Sequence, residues 1–358
     1  VRTDWPVFSN PSGNPVLNDV QLVTITFTGY TFQSQVQDFG AYLVGSSWFS
    51  TIGADYGVGT GSQIATYVSN NWNAAQEIAI TDTDIEVWLE GAILSNEVPA
   101  PSSTNAQLVY IMYFPPGIEV DNSDFGVSCG TFDGYHSQFE ASVLPGVQPF
   151  SYAVIVDCEE GSADELAAIE TTASHEIAES STDPYPITAS AWLDRDTTSP
   201  WVASQYIVEI GDVCEGQRIS DVDAGYTMQQ IWSISAAAAG GAPCIPVDPN
   251  RPYFGVSASP ATVQSAAAGS GVNYTITGWS SGPIAAWDMV AYGEGGPLLA
   301  YQPIVGWSTN TLSDGQVAQL SVGVPNDAGG SSVGVVMMYS ELPNSPIYSR
   351  WPIVVNEQ

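Results

Sequence analysis

The chain has 358 residues, of which 5 are basic and 38 acidic, for a net charge of −33 (5 − 38). Hydrophobic residues make up 44%, enough for a proper core and too many for a disordered chain, and the length suits two domains better than one. A chain this acidic is a poor partner for nucleic acid or an anionic membrane, and one without lysine has neither Schiff-base chemistry nor a Walker-type phosphate loop.

The acidic residues are not unusually many; the basic ones are nearly missing. At low pH many carboxylates are protonated, and a chain without lysine avoids the cationic self-repulsion that drives acid unfolding. A secreted protein of acidic surroundings is therefore expected, against the plainer reading of an acidic surface that serves solubility. The first residues, "VRTDWPVFSNPSGNP", hold no apolar signal core and read as a mature end. No run of eighteen apolar residues occurs, so no membrane-spanning helix is expected.

In chain order, residues 20–28, "VQLVTITFT", form a β-branched apolar run that reads as a buried strand. Residues 34–52 carry Val36, Phe39, Leu43 and Trp48 at helical spacing. Thr83-Asp84-Ile85-Glu86 reads as a capping box opening the helical "DIEVWLEGAILSN". Residues 106–114, "AQLVYIMYF", and 151–158, "SYAVIVDC", are two more buried strands. Strands alternating with helices predict an α/β layer.

The next helix is predicted from a capping box at Ser162–Glu165 to about Ser181, with Asp183-Pro184 and Pro186 stopping it. Leu166, Ile169, Ala173 and Ile177 fall on one apolar face, and His175 and Glu179 project from roughly the opposite side. Past Cys214, a small-residue tract and a Pro-rich one place a domain boundary near Pro246 to Pro252. The remainder offers short alternating runs: "FGVSASP", "VNYTITGW", "DMVAYGE", "QVAQLSVGV", "SVGVVMMYS" and "SRWPIVV". That is the pattern of an all-β sandwich of immunoglobulin-like type. The expected division is 1–248 for the α/β domain and 249–358 for the sandwich.

The four cysteines, Cys129, Cys158, Cys214 and Cys244, include no C-x-x-C pair, which argues against a thiolate zinc cluster. Two disulfides are expected, Cys129–Cys158 and Cys214–Cys244, by nearest-neighbour pairing.

The chemistry concentrates in "TTASHEIAESSTDPYP", which holds one of only two histidines. On a helix, H-E-x-x-E puts His175 and Glu179 one turn apart, where both reach one ion. Glu176 points to the side, where it is placed to act as general base on a water at that ion. A zinc hydrolase needs three protein ligands and one open position. The third is expected first from Glu209, with Asp212, Asp183 and His136 as alternatives. Asp183 lies eight positions past His175, roughly 12 Å along a straight helix, and needs the turn to fold back. A neutral His136 has a second possible task, stabilising a developing oxyanion as a catalytic group. The competing reading is a polar helix face with no ion at all. "LDRDTTSPW", 193–201, offers carboxylates to calcium without a proper loop spacing. Asn273-Tyr274-Thr275 fits a glycosylation acceptor, and the eleven tryptophans are enough to line a sugar-binding surface.

"ASHEIAESSTDP" followed by "VEIGDVCEG" resembles the signature of the phosphate-induced protein 1 / Exordium family and its microbial relatives. The order of "LVTITFTGY", "SSWFSTIGADYG", "TDTDIEVWLEGAIL", "LVYIMYF", "SCGTFDGYH" and "YAVIVDC" is similar too, over roughly residues 20–245. The chain departs by lacking the plant members' second cysteine cluster and their Gly-rich stretch after the E-I-x-D-x-C segment. The resemblance implies motif positions for His175, Glu176, Glu179, Asp183, Glu209, Asp212 and Cys214, and for His136 in a Cys-Gly…His element. The microbial members look like zincin-type peptidases, so the resemblance implies a zincin-like α/β fold.

The expectation is a secreted, acid-tolerant zinc endopeptidase acting on protein or peptide substrates. Its one zinc is held by His175, Glu179 and Glu209 or Asp212, with calcium as the alternative ion, and Glu176 and His136 are catalytic. The C-terminal domain would attach to polysaccharide or a surface. The alternatives are a non-catalytic extracellular cell-wall or carbohydrate-binding protein with a structural ion, and an acid peptidase using a Glu/Gln pair without metal.

Overall fold

A computed structural model describes residues 5–101, 107–139, 149–204, 209–221, 224–293, 301–326 and 333–358. Parts of the expected segments lie outside them: residues 1–4, Ala106, 205–208, Glu294 and Ser332. The chain is mixed α/β, rich in strands and poor in helices. It forms two compact units, interleaved along the sequence: Asn10–Trp192 with Ile219–Gln229, and Val1–Ser9 with Leu193–Arg218 and Gln230–Gln358. One cut at 248/249 does not reproduce this division, because Arg350, in the last strand, binds Asp212 and Glu215 of the 209–218 segment.

The first unit is built on β1 (Gln21–Phe27), α1 (Gln33–Gly45), α2 (Ser47–Gly53), β2 (Ser62–Ser69), β3 (Ile78–Thr81), α3 (Asp82–Leu94), β4 (Leu108–Phe114), β5 (Ile118–Asn122), β6 (Gly134–Phe139), β7 (Phe150–Val156), α4 (Glu165–Thr182) and β8 (Thr227–Gln229). Its five-stranded sheet runs β2-β1-β4-β7-β6. The first four strands are parallel, and the edge strand β6 is antiparallel to β7. Every residue of β4 and β7 is buried, as a sheet covered on both faces requires. On one face, Val23, Ile25, Phe27, Tyr110, Met112, Phe114, Tyr152 and Val154 pack with Ile85, Leu89 and Ile93 of α3. α1 and α4 cover the other face.

Two helix starts differ from the sequence expectation. α3 begins at Asp82, with Thr81 as its N-cap. Thr81 Oγ1 accepts from Asp84 N at 3.2 Å, and Thr81 N donates to Asp84 Oδ2 at 2.8 Å. Asp84 thus fills the position expected of Glu86, because its shorter side chain already reaches back. α4 begins at Glu165 after Asp164, without a side-chain cap; Glu165 Oε2 instead accepts from Gly161 N at 2.7 Å. The expected helix over 34–52 is two helices, broken at Ser46, whose backbone is extended and whose side-chain Oγ caps α2 by accepting from Phe49 N at 3.1 Å.

The second unit carries two larger sheets, of four and five strands. One orders Phe254–Ser259, Gly271–Ser280, Val317–Gly323 and Ile304–Trp307; the other orders Gln264–Ala266, Tyr348–Glu357, Val333–Glu341, Trp287–Gly293 and Thr311–Leu312. Phe254 and Trp287, one from each sheet and both fully buried, approach to 5.6 Å. Both disulfides form as expected, Cys129–Cys158 and Cys214–Cys244. Among the described residues, no helix is long and apolar enough to cross a membrane.

The shifted cap is testable. Thr81→Ala is expected to cost about 1 kcal/mol in a denaturant titration, and Thr83→Ala to leave the midpoint where it is; the reverse result would restore the box at Thr83.

Candidate functional site

α4 differs in one respect from the amphipathic helix read in the sequence: its polar face is buried as well. Ser174, Glu176, Glu179, Ser180, Ser181 and Thr182 are all buried. β6, β7 and β4 lie along one side of the helix and β8 along another. Three of the hydroxyls bond back to the helix, while Ser180 Oγ is buried with no hydrogen-bond partner among the described residues. Ser174 Oγ donates to Thr171 O at 2.8 Å, Ser181 Oγ to Ile177 O at 2.5 Å and Thr182 Oγ1 to Ala178 O at 3.1 Å. A buried polar face is tolerable only when most of its groups are satisfied in this way.

The spacing of H-E-x-x-E does what it predicts. His175 Nε2 lies 2.9 Å from Glu179 Oε2, one turn on. The chain's other histidine arrives from the edge strand: His136 Nδ1 is 3.6 Å from Glu176 Oε2 and 3.7 Å from Glu179 Oε2. Period two along β6 aims three residues at α4. Gly134 leaves room, since a Cβ there would stand 2.6 Å from Thr172 Cγ2 and 3.3 Å from Glu176 Cγ. His136 meets the carboxylates. Gln138 Oε1 accepts from Ile187 N at 3.1 Å and Thr188 N at 3.0 Å, pinning the turn after the helix. His175, Glu176 and Glu179 present donor atoms within 4.8 Å of one another, as an ion requires.

The structure therefore brings His136, His175, Glu176 and Glu179 together in one unit. Asp183 caps the end of α4, and its Oδ1 accepts from Ala191 N at 2.7 Å. Glu209 and Asp212 belong to the second unit. There Asp212 Oδ2 accepts from Glu209 N at 2.8 Å. Arg350 Nε donates to Asp212 O at 3.0 Å, and its Nη1 lies 2.5 Å from Glu215 Oε2. Burial alone would lower the Arg350 pKa, but Glu215 and Asp212 outweigh it and raise it. Gly216, at φ +81°, passes so close to Tyr348 that a Cβ would stand 2.5 Å from its ring. In "LDRDTTSPW", Asp194 Oδ1 accepts from Asp196 N and Asp196 Oδ1 from Thr198 N, which caps the turn with the carboxylates whose spacing did not suit calcium.

Sequence reasoning missed Gln229, whose Oε1 is 3.0 Å from His175 Nδ1. It stands 54 residues past His175 in a three-residue strand, and no local pattern announces it. Gly134 was findable, as the glycine two positions before His136 on the same strand face.

No protein-family model matches the chain, and no curated protein matches it. Among solved structures, a family 123 glycoside hydrolase from Clostridium perfringens, described for glycolipid glycan hydrolysis, is similar over 30% of this chain and 27% of that one. The identity is 9% and the TM-score 0.24, too slight an overlap to bear on fold or activity.

Two further carboxyls beside this face are buried. Asp157, just past β7, is pushed up to about 7, first by burial and then by neighbouring Glu165. Glu170, five residues before His175, is pushed up to about 7 by burial, against the opposing hydrogen bond from Thr227 N. Their ordinary values are 3.8 and 4.5, so over the interval between, the folded state keeps protons that the unfolded chain has released. The stability this contributes is complete below about pH 4 and is lost as pH rises through about 7. Melting temperature should fall across that window, and less steeply in Asp157→Asn; an equal fall in the variant would remove Asp157 from the account.

Proposed function

We propose that the chain is a secreted zinc-dependent endopeptidase working on the buried face of α4. One observation carries this reading: the only two histidines in 358 residues converge from different elements on the Glu179 carboxylate, at 2.9 and 3.7 Å. A core histidine satisfied by chance gives no reason for the second to meet it there. The donors, two imidazoles and two carboxylates, suit zinc; calcium takes six to eight oxygens, which this set does not offer. His175 and Glu179 would hold the ion, and His136 Nδ1 from β6 stands 3.7 Å from the same Glu179 carboxylate. Zinc, when bound, polarises the scissile carbonyl and makes water a nucleophile near neutral pH.

Glu176 is left for proton transfer. Its carboxylate is buried beside His136, where it takes a proton from the attacking water and delivers it to the leaving amine. Exclusion of bulk water strengthens each of these interactions. The resemblance of "ASHEIAESSTDP" and "VEIGDVCEG" to Exordium-type proteins, with zincin-like microbial relatives, supports the same reading. So do the two disulfides, which suit an oxidising compartment. The two-sheet unit, read as an immunoglobulin-like sandwich, would serve attachment to polysaccharide or a surface.

Elemental analysis and casein cleavage test the proposal together. About one zinc per chain is expected, with Glu176→Gln keeping the metal and losing about 10²- to 10⁴-fold in rate. His175→Ala should lose the metal. Absence of zinc, or cleavage indifferent to Glu176→Gln, would sink the proposal; zinc without any hydrolysis would favour the structural-ion alternative.

A further inference from the structure

Gln229 ends β8 and is 2% exposed. It is held on three sides. Its N–H donates to Ser174 Oγ at 2.9 Å, its carbonyl accepts from Trp48 Nε1 at 3.0 Å, and its Oε1 lies 3.0 Å from His175 Nδ1. Ser174 Oγ spends its own proton on Thr171 O, so it meets Gln229 as an acceptor. One turn earlier on α4, Glu170 Oε2 accepts from Thr227 N at 2.8 Å. Residues four apart on a helix share a stripe, and Glu170 and Ser174 use theirs to strap β8 along α4. The strand is therefore fixed before its side chain is considered, and the amide of Gln229 is delivered to the imidazole from an immobile backbone.

An amide oxygen only accepts. Facing it, His175 Nδ1 donates when it carries the ring proton, and Nε2 is the atom turned toward the Glu179 carboxylate, a competing acceptor at 2.9 Å. We propose that Gln229 is the positioning residue of the site: it fixes the His175 ring and its Nδ1–H tautomer, and so reserves Nε2 for a divalent cation of zinc type. The proposal rests on the metal reading of this site. Without the acceptor the ring can turn, or carry its proton on Nε2 where the ion would bind. Partners behind a ligating histidine commonly set its tautomer in this way.

The test uses the full chain and two readouts. Nitrogen-15 shifts of His175 in zinc-free protein, recorded above the titration range of imidazole, should show Nδ1 protonated. Zinc affinity is measured by competition with a chromophoric chelator. Gln229→Leu should shift the tautomer toward Nε2–H and weaken zinc about 10- to 100-fold. Gln229→Glu keeps an acceptor oxygen and should restore the Nδ1–H signature. If the leucine variant fails to fold, Ser174→Ala serves instead: it frees the Gln229 backbone and should produce a partial shift. A bare Nδ1 in the wild type, or shifts unmoved by the Leu and Ala variants, overturns the positioning role whether or not zinc binds. An Nδ1–H tautomer lost in Gln229→Leu, in a wild type that takes up no zinc, supports the positioning of the ring and overturns only the metal reading.

Discussion

The constraint that organises the first unit is the burial of a helix that is polar on its functional side. An amphipathic helix usually keeps its polar face in water, and each of those groups becomes expensive once the face is covered. α4 is covered, and its surroundings are shaped by the cost. Hydroxyls fold back onto helix carbonyls. Glu170 and Ser174 accept from the backbone of β8. Glu176 and Glu179 meet imidazoles. β6 gives up a side chain at Gly134 so that the helix can approach. These bonds satisfy much of the covered face, although Ser180 Oγ is buried with no hydrogen-bond partner among the described residues, and satisfied polar networks of this kind hold their members rigidly.

How much of this could be read beforehand depended on where the information lay. β1, β4 and β7 are nearly continuous apolar runs, because a doubly covered parallel sheet leaves nothing else acceptable, and they were legible. β2 was not: "SQIATYVS" alternates weakly at an edge, with half its residues exposed. β6 was missed as well, since "GYHSQF" has little intrinsic strand preference and owes its form to pairing with β7. The extent of α4 and its stop at Asp183 were legible from prolines and periodicity, but its covering was not, because burial of a polar face is decided by what packs on it. The His175–Glu179 pair follows from helical spacing alone. His136 reaches the pair through sheet registry, and Gln229 through the return of a distant segment, and neither registry nor return is encoded locally.

The charge of the chain takes a more specific meaning from the structure. With five arginines and no lysine, buried carboxyls cannot generally be neutralised by cations; burial pushes Asp157 and Glu170 up to about 7, so in acid a proton neutralises them instead. That solution works in acid and weakens toward neutrality. Where a cation is used, it is used fully: Arg350 binds the Asp212 carbonyl and the Glu215 carboxylate inside the second unit.

The order of the first unit along the chain has a further consequence. The chain passes through Asn10–Trp192, leaves, and comes back for Ile219–Gln229. Synthesis runs from the N-terminus at about 5–20 residues per second, so α4 emerges with its H-E-x-x-E intact some seconds before Gln229 exists. During that interval no Gln229 amide is there to orient His175. The ribosome thus delivers the donor atoms first and their alignment afterwards, and a chain released early carries the motif without its final geometry. For the hydrolase proposed above, such a delay is a form of latency written into the connectivity alone.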